Sequence, residues 1–355
     1  MDKTGKIVMV YDEPAAICAK LWLRDAFTAR GHKVRTVFSR FRISNVEQRG
    51  KAGKLAARLL TLWQCLKAMA VSGKGDTVVC WSQWSGLFFN LLPGAGKRYI
   101  ISCNWLTPVP NKKTRFLYVK ALRNRRLTAV INHPDTKARI LEGYGVEDTG
   151  NIVCIPDVYD DRDVFREPAY PVDGETEKYC FCGGRANRDW EFLLKAAGEC
   201  PQMEFRLVAA KSGWDSKWVI PRNVRLYFDL GAEEYYRILE YAYMSVYPLK
   251  EERVSGLINI LKSVQMGKPV LVTRQSFTET YFPDGCREWL IPFGDMGEWK
   301  RMLGKVWDYG QPEYVAKVER MQEYIQANFS PESAGRQMEE IIARCKGADR
   351  EYGEG

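Results

Sequence analysis

The chain has 355 residues, of which 46% are hydrophobic and 27% charged, a composition typical of folded proteins and not of disordered or fibrous ones. Its length suits two domains of ordinary size. No stretch reaches the roughly 18 apolar residues that a membrane span needs, and the N-terminal segment has neither the apolar core nor the cleavage site of a signal peptide. We therefore expect a cytoplasmic protein.

Charge is distributed unevenly along the chain. Residues 1–165 carry 27 Lys and Arg against 14 Asp and Glu, whereas the remainder carries 26 against 30, which suggests different partners for the two halves. The ten cysteines and two histidines have no metal-ligand spacing, so we predict buried reduced thiols and no metal site. Asp161 and Asp163 form an Asp-x-Asp pair, but they lie in a predicted linker.

Short β-branched or aromatic runs alternate with helical patterns from end to end, which is typical of doubly wound parallel sheets. Helices are predicted after the strands, for example over Ala15–Arg30 and Lys54–Val71. The first five predicted strands are residues 7–11, 33–38, 77–81, 98–103 and 127–132, and the second five are 178–184, 204–210, 224–228, 243–249 and 268–273.

The stretch that begins at residue 151 is rich in Pro, Asp and Gly, and it is interpreted as an interdomain linker. The fold class predicted is α/β, with two Rossmann-like domains over residues 1–165 and 166–330 that face each other across a cleft. Residues 331–355 are expected to form a helix that crosses back to the first domain. Ligands of open α/β sheets bind at the carboxyl ends of the strands, which points to that cleft.

The first segment whose residues suggest a binding site is FCGGRANRDWEFLLKAA, residues 181–197. Its strand ends in Gly183 and Gly184, which allow a sharp turn and a close approach of a ligand to the backbone. Arg185 and Arg188 follow just before a helix. Backbone amides, a helix N-terminus and guanidinium groups together make a pocket for a diphosphate, although an ordinary strand–helix turn with solvated arginines would have the same pattern.

The second such segment is residues 246–273, where a strand ends at Pro248 and a charged loop leads into a helix. Ser255 is suited to the N-cap of that helix, and Gly256 would let a ligand sit against the first helical turn. Gly267 is suited to the C′ position. The helix after the two arginines has two candidate caps, which are Asn187 and Asp189.

The order GGR…RDW…LLKA, then P-L-x-E-E-x-x-S-G-L, then M-G-K-P-V-L-V-T resembles the C-terminal domain of the family-4-like retaining glycosyltransferases, which have the GT-B fold. Residues 280–295 and 328–342 resemble that family's later loop and closing helix. The resemblance covers most of residues 150–345. It implies transfer of a hexosyl group from a nucleoside-diphosphate sugar to an acceptor hydroxyl, without a metal or other cofactor.

The resemblance also implies roles for individual residues. Arg188, and with it Arg185, would bind the donor diphosphate, and the glycines before them would let it approach. The remaining donor-side residues are Ser255, Gly256 and Leu257 at the phosphates and sugar, Glu251 or Glu252 near the sugar hydroxyls, and Pro248 beside the nucleotide.

Three departures from the family pattern stand out. The glutamate that would bind the donor ribose is replaced by Lys262, which cannot accept hydrogen bonds from hydroxyl groups. The glycine-rich first loop is replaced by a segment that begins at Glu13. The histidine expected after the fourth strand is replaced by a segment that contains Asn104 and Trp105.

The first domain is expected to bind the acceptor, with Asp12, Glu13, Asn104 and Trp105 as candidate contacts. Basic stretches interspersed with apolar residues, 51–67 and 112–126, suit an anionic membrane surface or a polyprenyl-diphosphate or anionic glycan acceptor. A merely solvated helix face is the alternative. Nucleic acid is not expected, because no recognised nucleic-acid-binding motif accompanies these stretches.

The expected activity is therefore a glycosyltransferase of bacterial surface polysaccharide or glycolipid synthesis, acting at the inner face of the membrane. A retaining enzyme needs no side-chain nucleophile, whereas an inverting one needs a general base, for which Asp12 or Glu13 is the candidate. Two alternatives stay open: a sugar-nucleotide epimerase, and a non-catalytic subunit of the same fold, which Lys262 would be consistent with.

Overall fold

The computed structural model describes residues 5–18, 21–47, 50–104, 115–159, 165–168, 170, 178–251 and 256–352. It forms two compact units. The first unit combines Met1–Pro156 with Pro331–Gly355, and the second unit is Asp157–Ser330. Each unit is an α/β structure built around one parallel sheet, so the predicted fold class of two Rossmann-like domains is confirmed.

Twelve strands form the two sheets over the described residues. They are β1 Ile7–Tyr11, β2 Val34–Phe38, β3 Thr77–Cys80, β4 Tyr99–Ser102, β5 Leu127–Ile131, β6 Ile152–Cys154, β7 Tyr179–Gly184, β8 Glu204–Ala209, β9 Val224–Phe228, β10 Met244–Tyr247, β11 Val270–Thr273 and β12 Leu290–Ile291. All ten strands predicted from β-branched and aromatic runs are present within a few residues of their predicted bounds.

The α-helices fill the connections between these strands. They are α1 Trp22–Ala29, α2 Ile43–Glu47, α3 Gly50–Val71, α4 Gln83–Leu91, α5 Arg115–Leu122, α6 Pro134–Tyr144, α7 Trp190–Gly198, α8 Ala232–Glu240, α9 Leu257–Gln265, α10 Ser276–Glu279, α11 Met296–Trp307, α12 Gln311–Asn328 and α13 Pro331–Tyr352.

The sheet of the first unit has the order β2-β1-β3-β4-β5-β6, with every pair parallel. Its interior strand β1 is buried along its whole length, which explains why its sequence is a continuous apolar run and does not alternate. Strand β6 lies in the segment that was interpreted as linker. That interpretation was wrong for residues 152–154, which form a strand that pairs with β5. The sequence pattern missed this strand because three residues are too few to stand out from their Pro- and Asp-rich surroundings.

The predicted helix over Ala15–Arg30 is shorter in the structure. A single 3-10 turn occupies Ala15–Ile17, Cys18 then adopts an extended conformation, and the α-helix itself begins at Trp22. The apolar periodicity of the segment is therefore divided between two short elements.

The C-terminal helix α13 packs on α1 in the first unit, as predicted. Glu339 makes the contact specific, since its carboxylate lies 3.3 Å from Arg30 Nε and 2.8 Å from His32 Nε2. Met338, Ile341 and Ile342 are buried alongside. The helix thus follows the second unit in sequence and belongs to the first in structure.

The sheet of the second unit has the order β12-β11-β10-β7-β8-β9 and is parallel throughout. Numbered within the unit this is the 3-2-1-4-5-6 order of dinucleotide-binding domains. All ten cysteines are free thiols, and eight of them are buried, as predicted. Among the described residues, no helix is long and apolar enough to cross a membrane.

Candidate functional site

Each sheet reverses its winding direction beside its first strand. In the second unit, β8 and β9 lie on one side of β7 while β10, β11 and β12 lie on the other, so the switch point falls between β7 and β10. In the first unit it falls between β1 and β3. Open α/β sheets bind ligands in the crevice beyond the carboxyl ends of the strands at such a point. Each unit therefore has one candidate site.

Arg188 occupies the switch point of the second unit. It is only 5% exposed, its Nε donates to the carbonyl of Gly183 at 3.1 Å, and its guanidinium lies 4.9 Å from the centre of the Tyr247 ring. Its Nη1 is buried and has no hydrogen-bond partner among the described residues, and no described carboxylate pairs with it. Nearly all buried guanidinium groups have such partners, so this one is suited to an anionic ligand.

Two glycines make room for this guanidinium. A Cβ atom at Gly256 would lie 2.6 Å from Arg188 Nη1, and one at Gly184 would lie 3.1 Å from Nη2. Their φ angles are +82° and +145°, values that residues other than glycine rarely adopt. Gly256 is the N-cap of α9, so Arg188 lies at the positive end of that helix, and both features favour an anion.

Asn187 joins the loops that follow β7 and β10. Its Nδ2 donates to the carbonyl of Glu251 at 2.9 Å, and its Oδ1 accepts from the backbone N–H of Glu251 at 2.8 Å. Asp189 N–H donates to Pro248 O at 2.9 Å, and Arg188 and Leu249 form an isolated antiparallel bridge between the same loops. The backbone around Arg188 is thereby held by contacts on both sides.

The end of β7 is packed tightly against α8 and α9. A Cβ at Gly183 would lie 2.3 Å from the hydroxyl of Tyr235, so only glycine is compatible with this packing. Asn259 Nδ2 donates to the Gly183 carbonyl at 3.1 Å, and Tyr235 OH donates to Asn259 Oδ1 at 3.3 Å. Burial raises the pKa of Tyr235, so its hydroxyl remains a donor. The carbonyl that binds Arg188 Nε is thus itself held in place.

Other predicted donor-side residues are less enclosed or lie elsewhere. Arg185 and Glu251 are exposed, Pro248 is buried with its carbonyl bound by Asp189, and Leu257 is buried at the first position of α9. Glu252 and Ser255 lie outside the described residues.

Helix caps differ in part from the sequence-based expectation. The N-cap of α9 is Gly256 and not Ser255, because the backbone of Gly256 is left-handed and the helix begins one residue later. Of the two candidates for α7, Asp189 is the cap, accepting from Phe192 N–H at 3.1 Å. Gly267, with φ of +70°, follows the end of α9 as predicted.

Lys262 lies in the second half of α9, with its Nζ 5.0 Å from the centre of the Tyr236 ring. It is 7% exposed. It lies six positions after Gly256, which corresponds to roughly 9 Å along the helix axis. Its inclusion among the donor-binding residues stays a prediction, in which another residue would have to recognise the donor ribose.

Sequence reasoning missed Asn187 as a connector, and it missed Asn259 and Tyr235 as residues that position the site. Asn259 carries a detectable signal, because it is a polar residue between Ile258 and Ile260 in the first turn of α9. Tyr235 carries none, since aromatic residues in amphipathic helices are common.

In the first unit, Asp12 and Glu13 follow β1 at the switch point. Glu13 has a side chain 14% exposed, and its Oε1 lies 3.1 Å from Arg42 Nε. Ile43 N–H donates to the Asp12 carbonyl at 3.0 Å, and Gln64 from α3 donates to the Tyr11 carbonyl at 2.7 Å. The end of β1 is therefore anchored to both α2 and α3.

Asn104 follows β4 and joins the neighbouring loop. It has a positive φ of 52°, and its Nδ2 donates to the Trp81 carbonyl at 2.8 Å. Trp81 also contacts Tyr11 and Trp22, with ring centres 6.1 and 5.9 Å apart. The structure thus brings Asp12, Glu13 and Asn104 to one edge of the sheet beside aromatic rings. Trp105 lies outside the described residues.

The two basic stretches fall on α3 and α5, although residues 112–114 lie outside the described part. On α5, Phe116 is 64% exposed, and Arg115 donates to the Tyr144 carbonyl at 2.9 Å. Asp161 and Asp163 also lie outside the described residues. Within the described ranges, no group of three or more His, Cys, Asp or Glu side chains could hold a metal ion.

Comparisons of the sequence with known proteins found nothing: no protein-family model matches the chain, and no curated protein matches it. Comparison of the structure found many similar chains. One is a glycosyltransferase from Rickettsia africae, 12% identical, with a TM-score of 0.68 over 97% of this chain and 99% of the other.

Two further structures carry sugar nucleotides. Anabaena HepE in complex with UDP-glucose is 14% identical, with a TM-score of 0.65 over 95% of this chain and 99% of the other. The E. coli trehalose-6-phosphate structure bound with UDP-2-fluoro glucose is 9% identical, with a TM-score of 0.67 over 96% and 99%. At these identities the likeness establishes the fold, which is the GT-B fold of glycosyltransferases.

Proposed function

We propose that the chain is a glycosyltransferase that moves a sugar from a nucleoside-diphosphate sugar to an acceptor hydroxyl. The observation that carries the proposal is the buried Nη1 of Arg188, which has no partner among the described residues and faces the N-terminus of α9. Transferring an unpaired charge from water into a protein interior costs several kcal/mol. A diphosphate bound at this point would supply the missing acceptors and the counter-charge.

Uridine diphosphate is the nucleotide favoured, because HepE and the E. coli structure of the same fold bind UDP-sugars. In the transfer, the bond between the sugar C1 and the diphosphate oxygen breaks, and a bond from the acceptor oxygen to C1 forms. The acceptor proton leaves with the diphosphate or passes to a base. Arg188 and the amides at the start of α9 stabilise the charge that develops on the leaving diphosphate. Arg185 is an exposed second cation for the same group.

The stereochemistry follows from the resemblance to the family-4-like enzymes, so we propose retention. Then no side-chain nucleophile is needed. If the enzyme inverts, Asp12 or Glu13 at the end of β1 is the general base, and the Glu13 carboxylate is held by Arg42. Metal independence, an acceptor site in the first unit and a role in polysaccharide or glycolipid synthesis in the cytoplasm belong to the same proposal.

The test compares UDP binding by calorimetry and UDP-sugar turnover for the wild type, Arg188→Met, Arg188→Lys and Arg225→Met. Losing charge-assisted hydrogen bonds to phosphate should weaken UDP binding about ten- to a hundredfold in Arg188→Met. Lysine should restore part of the affinity as a point charge. Arg225 on β9 is an exposed arginine away from the switch point, so its variant should bind as the wild type does.

Unchanged UDP affinity in Arg188→Met would contradict the proposal. Binding without turnover of any sugar nucleotide would favour the non-catalytic subunit. Formation of an isomeric sugar nucleotide, with its diphosphate bond intact, would favour the epimerase.

A further inference from the structure

Helix α3 exposes its large apolar side chains and buries small ones. Five of the thirteen exposed large hydrophobic residues in the described part of the chain lie on this one helix. They are Leu55 at 63% exposure, Leu59 at 59%, Leu62 at 37%, Trp63 at 57% and Leu66 at 44%. A surface helix normally turns such residues toward the core, so this arrangement is inverted.

The exposed residues form a continuous stripe. At 3.6 residues per turn, positions 55, 59, 62, 63 and 66 fall within an arc of about 100° and extend about 16 Å along the axis. The opposite face packs against the rest of the unit through small or uncharged side chains, namely Gly53, Ala57, Thr61, Gln64, Cys65 and Ala68. The stripe is therefore not a by-product of core packing.

Positive charge flanks the stripe, and no acidic residue occurs between Gly50 and Val71. Lys51 and Lys54 lie on one side, are exposed, and form no salt bridge with a described residue. Lys67 lies on the other side with its Nζ 5.5 Å from the centre of the Trp63 ring. Long lysine side chains beside an apolar stripe can extend outward to an interface while their stems cover apolar surface.

We propose that this face of α3, defined by the stripe and its flanking lysines, docks on an anionic phospholipid surface. A helix lying in the interface needs a narrow apolar face, a tryptophan or leucines to insert, and cations at the headgroups. All three occur here. A second copy of the chain is the less favoured occupant, because its own lysine-flanked stripe would bring like charges together. The proposal does not depend on sugar transfer.

The test is flotation of the purified full-length chain with vesicles of phosphatidylcholine alone or mixed with phosphatidylglycerol. We expect binding only to the mixed vesicles, weakened by added salt. Leu59→Ser/Trp63→Ser should lower the affinity at least tenfold, and Lys51→Gln/Lys54→Gln should lower it while reducing the salt dependence. The matched controls are Val219→Ser/Phe293→Ser, which are exposed apolar residues of the second unit, and Lys33→Gln/Lys97→Gln.

Thermal unfolding of each variant checks that it folds, which exposed positions should allow. Failure of the wild type to float with anionic vesicles would overturn the proposal. So would unchanged binding of the folded Leu59→Ser/Trp63→Ser variant. A wild-type dimer that this variant converts to a monomer, without vesicle binding, would instead assign the face to self-association.

Discussion

The guanidinium of Arg188 lies directly over the α-carbon of Gly256, close enough that a Cβ there would be 2.6 Å from Nη1 and 2.8 Å from Nη2. The two residues come from different βα connections of the second unit. Their contact places a buried cation at the N-terminus of α9, and it is possible only because residue 256 has no side chain.

Gly256→Ala should therefore weaken UDP binding by at least tenfold. The new methyl group would displace the guanidinium, and the left-handed backbone would cost about 1–2 kcal/mol for alanine. Calorimetric titration with UDP measures the first effect, and chemical denaturation measures the second.

Gly231→Ala is the matched control, because Gly231 is also a helix N-cap, at α8, but has a negative φ and open space around its α-carbon. Both variants lose an N-cap glycine, but only Gly256→Ala introduces a clash with the Arg188 guanidinium. Equal UDP affinities for the two variants would show that the Arg188–Gly256 contact is irrelevant to binding.

Gly183→Ala should destabilise the second unit by about 1–3 kcal/mol, which is the usual effect of overpacking. Its Cβ would lie 2.3 Å from the Tyr235 hydroxyl oxygen and 2.5 and 2.6 Å from two carbon atoms of the ring. Tyr235→Ala alone should also destabilise, by removing a packed ring. The double variant Gly183→Ala/Tyr235→Ala should be more stable than the sum of the single effects predicts, because the clash exists only when both groups are present. Additive free energies of unfolding would argue against the close packing.

Lys268→Met should stabilise the protein at neutral pH. Lys268 is 3% exposed, and burial lowers its pKa to about 8, an effect reinforced by Arg166 and opposed by Glu240. The folded state therefore has a weaker affinity for the proton than the unfolded state, whose lysine has the ordinary pKa near 10.5. A shift of this size corresponds to up to about 3 kcal/mol.

The sign of the pH dependence follows from proton binding. Below pH 8 the lysine is charged in both states, so the full penalty of burying the charge is present. Between pH 8 and 10.5 the unfolded state binds more protons, and wild-type stability should rise. The advantage of Lys268→Met should thus be largest at pH 7 and vanish near pH 10.5. Chemical denaturation at both pH values measures the difference in the free energy of unfolding between Lys268→Met and the wild type, and the exposed Lys33→Met variant is the control. A difference that is the same at both pH values would contradict the lowered pKa of Lys268.

Local sequence patterns were sufficient for the architecture. Runs such as IVMVY of β1 and VLVT of β11 are buried along their whole length within a parallel sheet. They must therefore be almost continuously apolar, and that signal is readable without any contact information. The caps at Asp189 and Gly267 were also predictable, because capping depends on one or two neighbouring residues. Strand β6 was missed because three residues are too few for a pattern.

The geometry of the candidate site depended on tertiary structure. Arg188 and Gly256 were both identified in the sequence, yet their contact arises because β10 lies beside β7, which brings together residues far apart in the chain. The same adjacency sets Asn187 against Glu251 and Asn259 against Gly183. Such pairings depend on strand order, which no local pattern encodes.

The sequence alone thus determined two α/β units, the glycine- and arginine-containing turn after β7, and the basic character of α3, since each depends on composition and short-range periodicity. Only the tertiary structure decided that Arg188 is buried with no counter-ion among the described residues, and that the leucines of the α3 stripe face outward. Burial is a property of what packs against a residue, and for both features the packing partners come from other elements of the chain.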